Sequence, residues 1–410
     1  MQRISRLYGA VNSRMRGSIN CWPNIIVRSI SAPRRILPVN DGKRVMLHPI
    51  QYSWLLRVAS LAYLVRDVLR KRRQQVVRAA EQRLAFYDAI WRSAAAEVGA
   101  DVATPCDGVL ELTLDDAQVK VRANYTCLDD PVTLFVAGNK PWVHQRLAEN
   151  GLPTPEYLVF DTSQMREAVA FLESRETPCV VKPAAGTGAG QGVTAGIRTR
   201  WQLAAAVVKA IRYHHQVVLE QQVPGHNYRL LYLDGVLLDA VHRCPPTVIG
   251  DGRQTIRSLV REENVRRQAG WQVAQVLLQI DADMRQTLAK QGLTLRSVPA
   301  VDQPVVLKTV INENAARENQ SASDQLCAEV IAAGAEATKV LQVRLAGVDV
   351  ITSNPTVALE EADGVILEVN TTPGLYHHKQ GADCPVSVPI LETMLRERQC
   401  HPHDAGCYGD

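Results

Sequence analysis

The stretch Gly364-Val365-Ile366-Leu367-Glu368-Val369-Asn370-Thr371-Thr372-Pro373-Gly374-Leu375 decides how the chain is read. An apolar, β-type run carries Glu368 and Asn370 two positions apart and then breaks at Pro373-Gly374. Side chains two apart on a strand face the same side. One acid and one amide therefore project together from an otherwise apolar strand. Oxygen donors held side by side suit a hard cation such as Mg²⁺. Upstream, Asp349 is the one carboxylate in a second apolar run, Leu345-Ala346-Gly347-Val348-Asp349-Val350-Ile351. A strand with a polar outer face shows the same alternation, so the pattern alone leaves both readings open.

A second element is the glycine-dense stretch Lys182-Pro183-Ala184-Ala185-Gly186-Thr187-Gly188-Ala189-Gly190-Gln191-Gly192. It fits no Gly-x-Gly-x-x-Gly register, and no Gly-Lys-Ser/Thr follows, so it is neither a dinucleotide fingerprint nor a P-loop. Strand-like segments on both sides, Cys179–Lys182 and Gly192–Ile197, make it the tip of a hairpin. Small residues leave backbone N–H groups free to wrap phosphate oxygens, and Lys182 adds positive charge to the same phosphates. The alternative is a surface turn. Lys140 opens a predicted helix over 139–150, and spacing alone gives it only the role of a solvated charge.

Length and composition bound the answer. A chain of 410 residues, 46% hydrophobic and 21% charged, reads as a globular protein of two or three domains. The longest apolar candidate for a membrane span, Trp54 to Val65, is short and carries Arg57. Residues 1–80 hold 16 Lys/Arg against Asp41 and Asp67, a balance of +14, while the remainder stands at −10. Such an arm suits an acidic partner, a lipid surface or the chain's own acidic body. No nucleic-acid module accompanies it, so no nucleic acid is expected. The seven Arg and no acid of the first 40 residues are transit-peptide-like, but no apolar signal core follows. Nine scattered cysteines fit a reducing cytoplasm.

Periodicity predicts a helical region from Ser53 to about Val98, stopped at Gly99, then short strands at Val109–Leu114 and Val119–Ala123. The 139–150 helix ends before Pro153 and Pro155. A strand at Tyr157–Phe160, a helix over 163–174, a helix over 201–213 and a strand at Val217–Glu220 follow. Asp234-Gly235 marks a hairpin between Arg229–Leu233 and Val236–Val241. Helices are predicted from Thr255 to Arg267, from Asp283 to Gln291 and, as one long element, from Ser323 to Leu341. The mixture is α+β.

These segments resemble, in order, the ATP-grasp carboxylate–amine ligases, and within them the ATP-grasp part of cyanophycin synthetases. Ala137-Gly138-Asn139-Lys140 with Leu147–Pro155 looks like the entry to the nucleotide-binding lobe. Val180-Val181-Lys182-Pro183 with the glycine loop looks like the phosphate flap. Val218-Leu219-Glu220-Gln221-Gln222-Val223-Pro224-Gly225 and the following His226 to Leu231 look like the adenine hinge. Val248–Ile256 is similar to a segment of the cyanophycin-synthetase branch, and the Asp349 and Glu368 runs look like the metal strands. The resemblance covers roughly residues 104–397.

What the resemblance implies is an ATP-grasp fold, two α+β lobes gripping ATP, behind a basic, partly helical extension. Expected boundaries are 1–80 for the extension, 81–138 for an α/β region, 139–222 and 223–398 for the lobes, and 399–410 for a tail. Lys140, Lys182 and the loop glycines Gly186, Gly188, Gly190 and Gly192 would contact ATP phosphates. Glu220, with backbone near Gln221 and Val223, would read adenine, and Asn227 would face the ribose in place of the usual acid. Asp349, Glu368 and Asn370 would hold two Mg²⁺. Arg229, Arg243 and Lys308 would stabilise the transferring phosphoryl group. Asn312, Pro373, Gly374, Leu375 and His377 would border the substrate. The implied reaction joins a carboxylate to an amine through an acyl phosphate, on an amino acid or small peptide, in a cytoplasmic homo-oligomer.

Two departures bear on substrate. Asn314-Ala315-Ala316-Arg317-Glu318 replaces a small, Gly-rich stretch, and the Mur-ligase-like half of cyanophycin synthetase has no counterpart here, so cyanophycin is not the expected product. Modification of a ribosomal peptide or protein, a small-molecule kinase and a nucleotide-binding regulator remain as other readings. Cys400-His401-Pro402-His403-Asp404-Ala405-Gly406-Cys407 places potential Zn ligands close together, in a spacing that matches no common Zn motif.

Overall fold

The computed structural model describes residues 57–61, 73–187, 190–269, 277–309, 311, 318–378 and 384–400. All of them lie in one compact unit, Leu47–Asp410. The Cys400–Cys407 cluster falls, beyond Cys400, outside the described residues.

Helix α1 (Arg73–Val98) turns Phe86, Tyr87, Ile90, Trp91, Ala94 and Ala95 inward at helical spacing. They cover an antiparallel meander of β1 (Asp101–Cys106), β2 (Val109–Leu114) and β3 (Ala117–Val121), whose Leu110, Leu112, Val119 and Val121 fill the same core. Strand β1 was not foreseen, because Asp101-Val102-Ala103-Thr104-Pro105-Cys106 is almost entirely exposed and lacks an apolar face. Helix α2 (Pro131–Ala137) was also missed, although Asp130 caps it by accepting from Val132 N and Thr133 N. Helix α3 (Lys140–Glu149) matches expectation, with Asn139 accepting from Trp142 N at 3.1 Å.

The next elements are β4 (Tyr157–Phe160), α4 (Met165–Glu173), β5 (Cys179–Pro183), β6 (Thr194–Ile197), α5 (Arg200–Ala210) and β7 (Val217–Gln221). The strands form one antiparallel sheet in the order β4-β7-β5-β6. Helices α4 and α5 bury Ala168, Leu172, Leu203, Ala206 and Val207 against Val181, Ile197, Val217 and Leu219. A capping box fixes the start of α5, Thr199 and Gln202 satisfying each other's backbone. The glycine-dense loop joins β5 to β6, as the hairpin reading requires.

From β7 the chain passes through Gly225 into β8 (His226–Leu233). Gly225 has φ +140°, and a Cβ there would lie 2.7 Å from the Thr352 carbonyl carbon and oxygen. Gly225→Ala is expected to cost about 1–3 kcal/mol from the backbone conformation alone. Urea unfolding of the variant checks it, and an unchanged midpoint would show the connection to be unstrained.

Strand β9 (Val236–Arg243) returns from β8 through Asp234 (φ 50°) and Gly235 (φ 76°), the left-handed pair a tight hairpin demands. β10 (Thr247–Ile249), α6 (Ile256–Ala269), α7 (Ala282–Lys290) and β11 (Pro304–Val306) then build an insert with its own core of Ile256, Leu259, Val260, Met284, Leu288 and Val305. β12 (Asn319–Ser321), α8 (Ala328–Val340), β13 (Leu345–Thr352), β14 (Val365–Asn370) and α9 (Ser387–Cys400) complete the described chain. The second large sheet runs β12-β9-β8-β13-β14, antiparallel throughout.

The single helix expected over 323–341 is two elements. Ser323–Gln325 is one 3₁₀ turn, Leu326 is extended, and α8 starts after Cys327. Ser323 Oγ accepts from Ala240 N at 2.9 Å and donates to Asp239 at 3.2 Å, which pins the turn to β9. Cys327 N donates to Pro355 O rather than to a helical carbonyl.

Candidate active site

The five-stranded sheet sorts its side chains by parity. Tyr228, Leu230, Tyr232, Val348 and Val350 pack with Val330 and Ala337 of α8. The alternate residues face the other way. Leu231, Leu233 and Leu345 meet the core shared with α1 and α9, and the rest form a polar floor. Register aligns Glu368, Asp349, Arg229 and Val241 across β14, β13, β8 and β9, with Gly347 opposite Asn370, Leu231 opposite Asp239, and Asn227 opposite Arg243. Arg243 in turn faces Asn319 of β12.

Asp349 is the hub. Arg229 grips it with two parallel bonds, Nε to Oδ1 at 2.7 Å and Nη2 to Oδ2 at 2.6 Å. Arg243 Nη1 stands 3.5 Å from Oδ2, and Asn370 Nδ2 donates to the same oxygen at 3.3 Å. Burial works against the Arg229 charge, but Asp349 outweighs it and raises the guanidinium pKa. Burial and the neighbouring Arg229 charge lower that of Arg243.

Two lysines enter from other elements. Lys140, in the first turn of α3, reaches Glu368 Oε1 at 3.2 Å. Lys182, on β5, forms an ion pair with Glu220 on the adjacent β7, Nζ lying 2.5 Å from Oε2. His144 Nε2 lies 3.4 Å from Lys182 Nζ and 3.6 Å from Glu220 Oε2. Burial pushes the Glu220 carboxyl up, yet Lys182 and His144 bring it below the usual range. Glu368 follows the same pattern, with burial overcome by Lys140, Lys182 and Arg229. His144 was not foreseen; helical spacing puts it one turn after Lys140, which is the signal that could have found it.

The backbone N–H of Lys140 donates to Ala184 O at 3.0 Å, tying the start of α3 to the root of the glycine loop. Gly186, Gly190 and Gly192 all have positive φ. A Cβ on Gly192 would lie 2.6 Å from Pro183 Cγ. Gly188 and Asn312 lie outside the described residues. At the β7 end, Gln221 N donates to Glu156 O, Gln222 N donates to Pro178 O, and Val223 follows before Gly225. Lys308 is buried at the edge of the insert, 2.9 Å from Asp281 Oδ2.

The loop after β14 is held from outside the two large sheets. Leu375 N donates to Tyr87 Oη of α1 at 3.1 Å, and Asn124 Nδ2 donates to Thr372 O at 2.6 Å. Pro373 lies over Gly347, where a Cβ would come within 3.1 Å of it. The loop continues into a 3₁₀ turn, Leu375–His378, that buries both histidines. Asn319 Nδ2 lies 3.1 Å from His377 Nδ1, and His378 Nδ1 lies 2.7 Å from Asp239 Oδ2. Burial, then the Arg243 and Arg229 charges, push His377 well below the ordinary histidine value. Tyr87, Asn124 and Asp239 were missed, since nothing in their local sequence links them to residue 375.

The donor set fits a hard divalent cation. Asp349, Glu368 and Asn370 offer only oxygens and an amide, on two adjacent strands, and both carboxylates are already neutralised by cationic side chains. Among the described residues no group of three or more His, Cys, Asp or Glu side chains is placed to hold a metal ion. No helix of the described residues is long and apolar enough to cross a membrane.

Residues 147–236 match the family model described as D-ala D-ala ligase C-terminus. The cyanophycin synthetase of Trichormus variabilis is 30% identical over 287 residues, 68% of this chain but 31% of the relative. The glutathione biosynthesis bifunctional protein GshAB of Listeria innocua is 27% identical over 317 residues, 75% of this chain and 40% of the relative. The chain thus spans less than half the length of these curated relatives, 31% of one and 40% of the other. Among solved structures, the bifunctional glutathione synthetase from Pasteurella multocida is 22% identical at a TM-score of 0.48, covering 73% of this chain and 42% of that one. The family match, over the stretch that carries Lys182, Glu220 and Arg229, identifies this part of the chain as an ATP-grasp domain of the D-Ala–D-Ala ligase C-terminal kind.

Proposed function

We propose that this chain is an ATP-dependent carboxylate–amine ligase that releases ADP and joins its substrates through an acyl phosphate. The observation that carries the reading is the convergence of Lys140, Arg229 and Arg243 on the carboxylates of Glu368 and Asp349, with Lys182 on a neighbouring sheet. Lys140 and Lys182 would carry charge to the nucleotide phosphates. Glu220 would accept from the adenine amino group, beside backbone near Gln221 and Val223, with Asn227 toward the ribose. Asp349, Glu368 and Asn370 would hold two Mg²⁺, which neutralise phosphate charge when bound. Arg229, Arg243 and Lys308 are the cations we assign to the moving phosphoryl group. We keep lobes at 139–222 and 223–398, and expect a cytoplasmic homo-oligomer.

In the first step a substrate carboxylate oxygen bonds to the γ-phosphorus and the bond to ADP breaks. In the second an amine bonds to the acyl carbon and phosphate leaves. No protein nucleophile is required, so the side chains act by holding reactants and stabilising charge. We assign substrate selection to the Pro373-Gly374-Leu375 loop with His377, and to Asn312, and expect the substrate to be an amino acid or small peptide. The test is ADP release by the full chain with ATP, Mg²⁺ and pools of amino acids and dipeptides, with mass spectrometry of the products. Release that requires both a carboxylate and an amine is expected; its absence across all pools would overturn the proposal.

A further inference from the structure

His378 is fully buried, yet among the described residues only one of its ring nitrogens has a partner. Nδ1 faces Asp239 Oδ2 at 2.7 Å, and Ser323 Oγ holds the other Asp239 oxygen at 3.2 Å. Nε2, on the opposite flank of the ring, is buried with no hydrogen-bond partner among the described residues. An orphaned polar atom in a protein interior needs an explanation. The carboxylate fixes the tautomer with the proton on Nδ1, which leaves Nε2 as a bare acceptor. The dyad sits on the polar floor beside Arg229 and Arg243, at the end of the loop that follows the Glu368–Asn370 strand.

The second chemical step has a proton problem that the cations assigned to phosphoryl transfer do not solve. An amine at neutral pH is an ammonium ion with no lone pair to attack with. The cations that suit phosphoryl transfer cannot take its proton. We propose that His378 Nε2, backed by Asp239, is the general base that deprotonates the attacking ammonium. This inference rests on the ligase reading. One ammonium proton passes to Nε2. The nitrogen lone pair forms the C–N bond, the bond from the acyl carbon to the phosphate oxygen breaks, and phosphate leaves with that electron pair. A second nitrogen proton goes to the departing phosphate, and the third stays on the amide. Asp239 stabilises the imidazolium until the proton reaches solvent.

The charged and titratable groups around the ring are Asp239 and Arg243 on β9, Arg229 on β8 and His377 in the same turn. Burial and the two arginines lower the His378 pKa, and Asp239 opposes them. The base is therefore free at neutral pH and is lost only in acid.

The experiment compares two nucleophiles on the full chain with ATP, Mg²⁺ and the same carboxylate pool. One is the amino-acid pool, whose members are ammonium ions. The other is hydroxylamine, which is uncharged near neutrality and traps an acyl phosphate as hydroxamate without a base. In His378→Asn, amide formation is expected to fall about 100-fold or more, while hydroxamate formation stays near the wild-type rate. The acid limb of the kcat/KM profile for the amine should vanish. In Asp239→Asn that limb should persist at lower pH, because the carboxylate that favoured the imidazolium is gone. His378→Gln serves if the asparagine variant melts early. Equal loss of amide and hydroxamate, or unchanged amide formation, would overturn the role of His378. A wild-type chain that makes no hydroxamate from any carboxylate would instead overturn the ligase reading, and the base with it.

Discussion

Asp349→Ala should unfold at a much lower urea concentration than the wild type and release no ADP. The side chain is 12% exposed and carries the bidentate grip of Arg229, itself 9% exposed, with Arg243 3.5 Å away. Removing the carboxylate leaves two guanidinium groups side by side in a desolvated setting. Breaking a buried pair from one side costs about 3–5 kcal/mol, more than the pair contributes when intact. The same change removes a donor from the proposed metal set, so turnover is lost even where the variant stays folded. Asp349→Asn separates the two effects: it keeps the volume and some hydrogen bonds, so it should recover part of the stability and none of the activity. Wild-type stability in the alanine variant would mean that the arginines find other partners and that Asp349 is not the hub.

Glu220→Ala should produce the second large effect, on stability and on its pH dependence together. Glu220 is 3% exposed at its side chain and stands against Lys182 and His144. Its removal strands a buried ammonium, again at about 3–5 kcal/mol. The sign of the pH effect follows from a folded-state pKa below the ordinary 4.5. The stabilisation is complete above 4.5 and disappears as pH falls through the lower folded value. The wild type should therefore lose stability in acid over that window, and the alanine variant should be less stable near neutrality but flatter there. Under the ligase reading, ATP affinity should also drop by about tenfold or more, the worth of one good hydrogen bond. Parallel acid limbs in the two proteins would show that Glu220 is not the group responsible. The Lys140–Glu368 pair is a weaker target, because Glu368 is 35% exposed and solvent screens it.

Much of this was legible in the sequence where the signal is local. Period-two alternation fixed the face of Glu368 and Asn370, and β14 does carry both on the floor beside Asp349. Asp234-Gly235 gave the β8–β9 hairpin, and Asn139 gave the start of α3. The failures have a common cause. The meander strand β1 is specified by its partner β2, not by its own exposed residues. The break at Leu326 is imposed by Ser323 bonding to β9 and by Pro355 taking the Cys327 N–H. Asp239 and His378 meet across 139 positions, and neither belongs to a motif. Lys308, chosen for its charge, is found with Asp281 of the insert, a partner that spacing does not reveal. Side chains that act through distant neighbours leave no period to read.

The hydrogen bond from Leu375 N to Tyr87, and that from Asn124 to Thr372 O, have a consequence for how such a chain can diverge. Tyr87 lies on α1 and Asn124 just after β3, while the strands bearing Asp349 and Glu368 belong to the five-stranded sheet. The buried carboxylates and the contour of the loop beside them are thus mounted on separate supports. Substitutions on the inner side of α1 can reshape the loop while Asp349, Glu368 and their cationic partners stay as they are. Under the ligase reading, a new preference among carboxylates or amines would then arise by drift in a helix remote from the proposed nucleotide site.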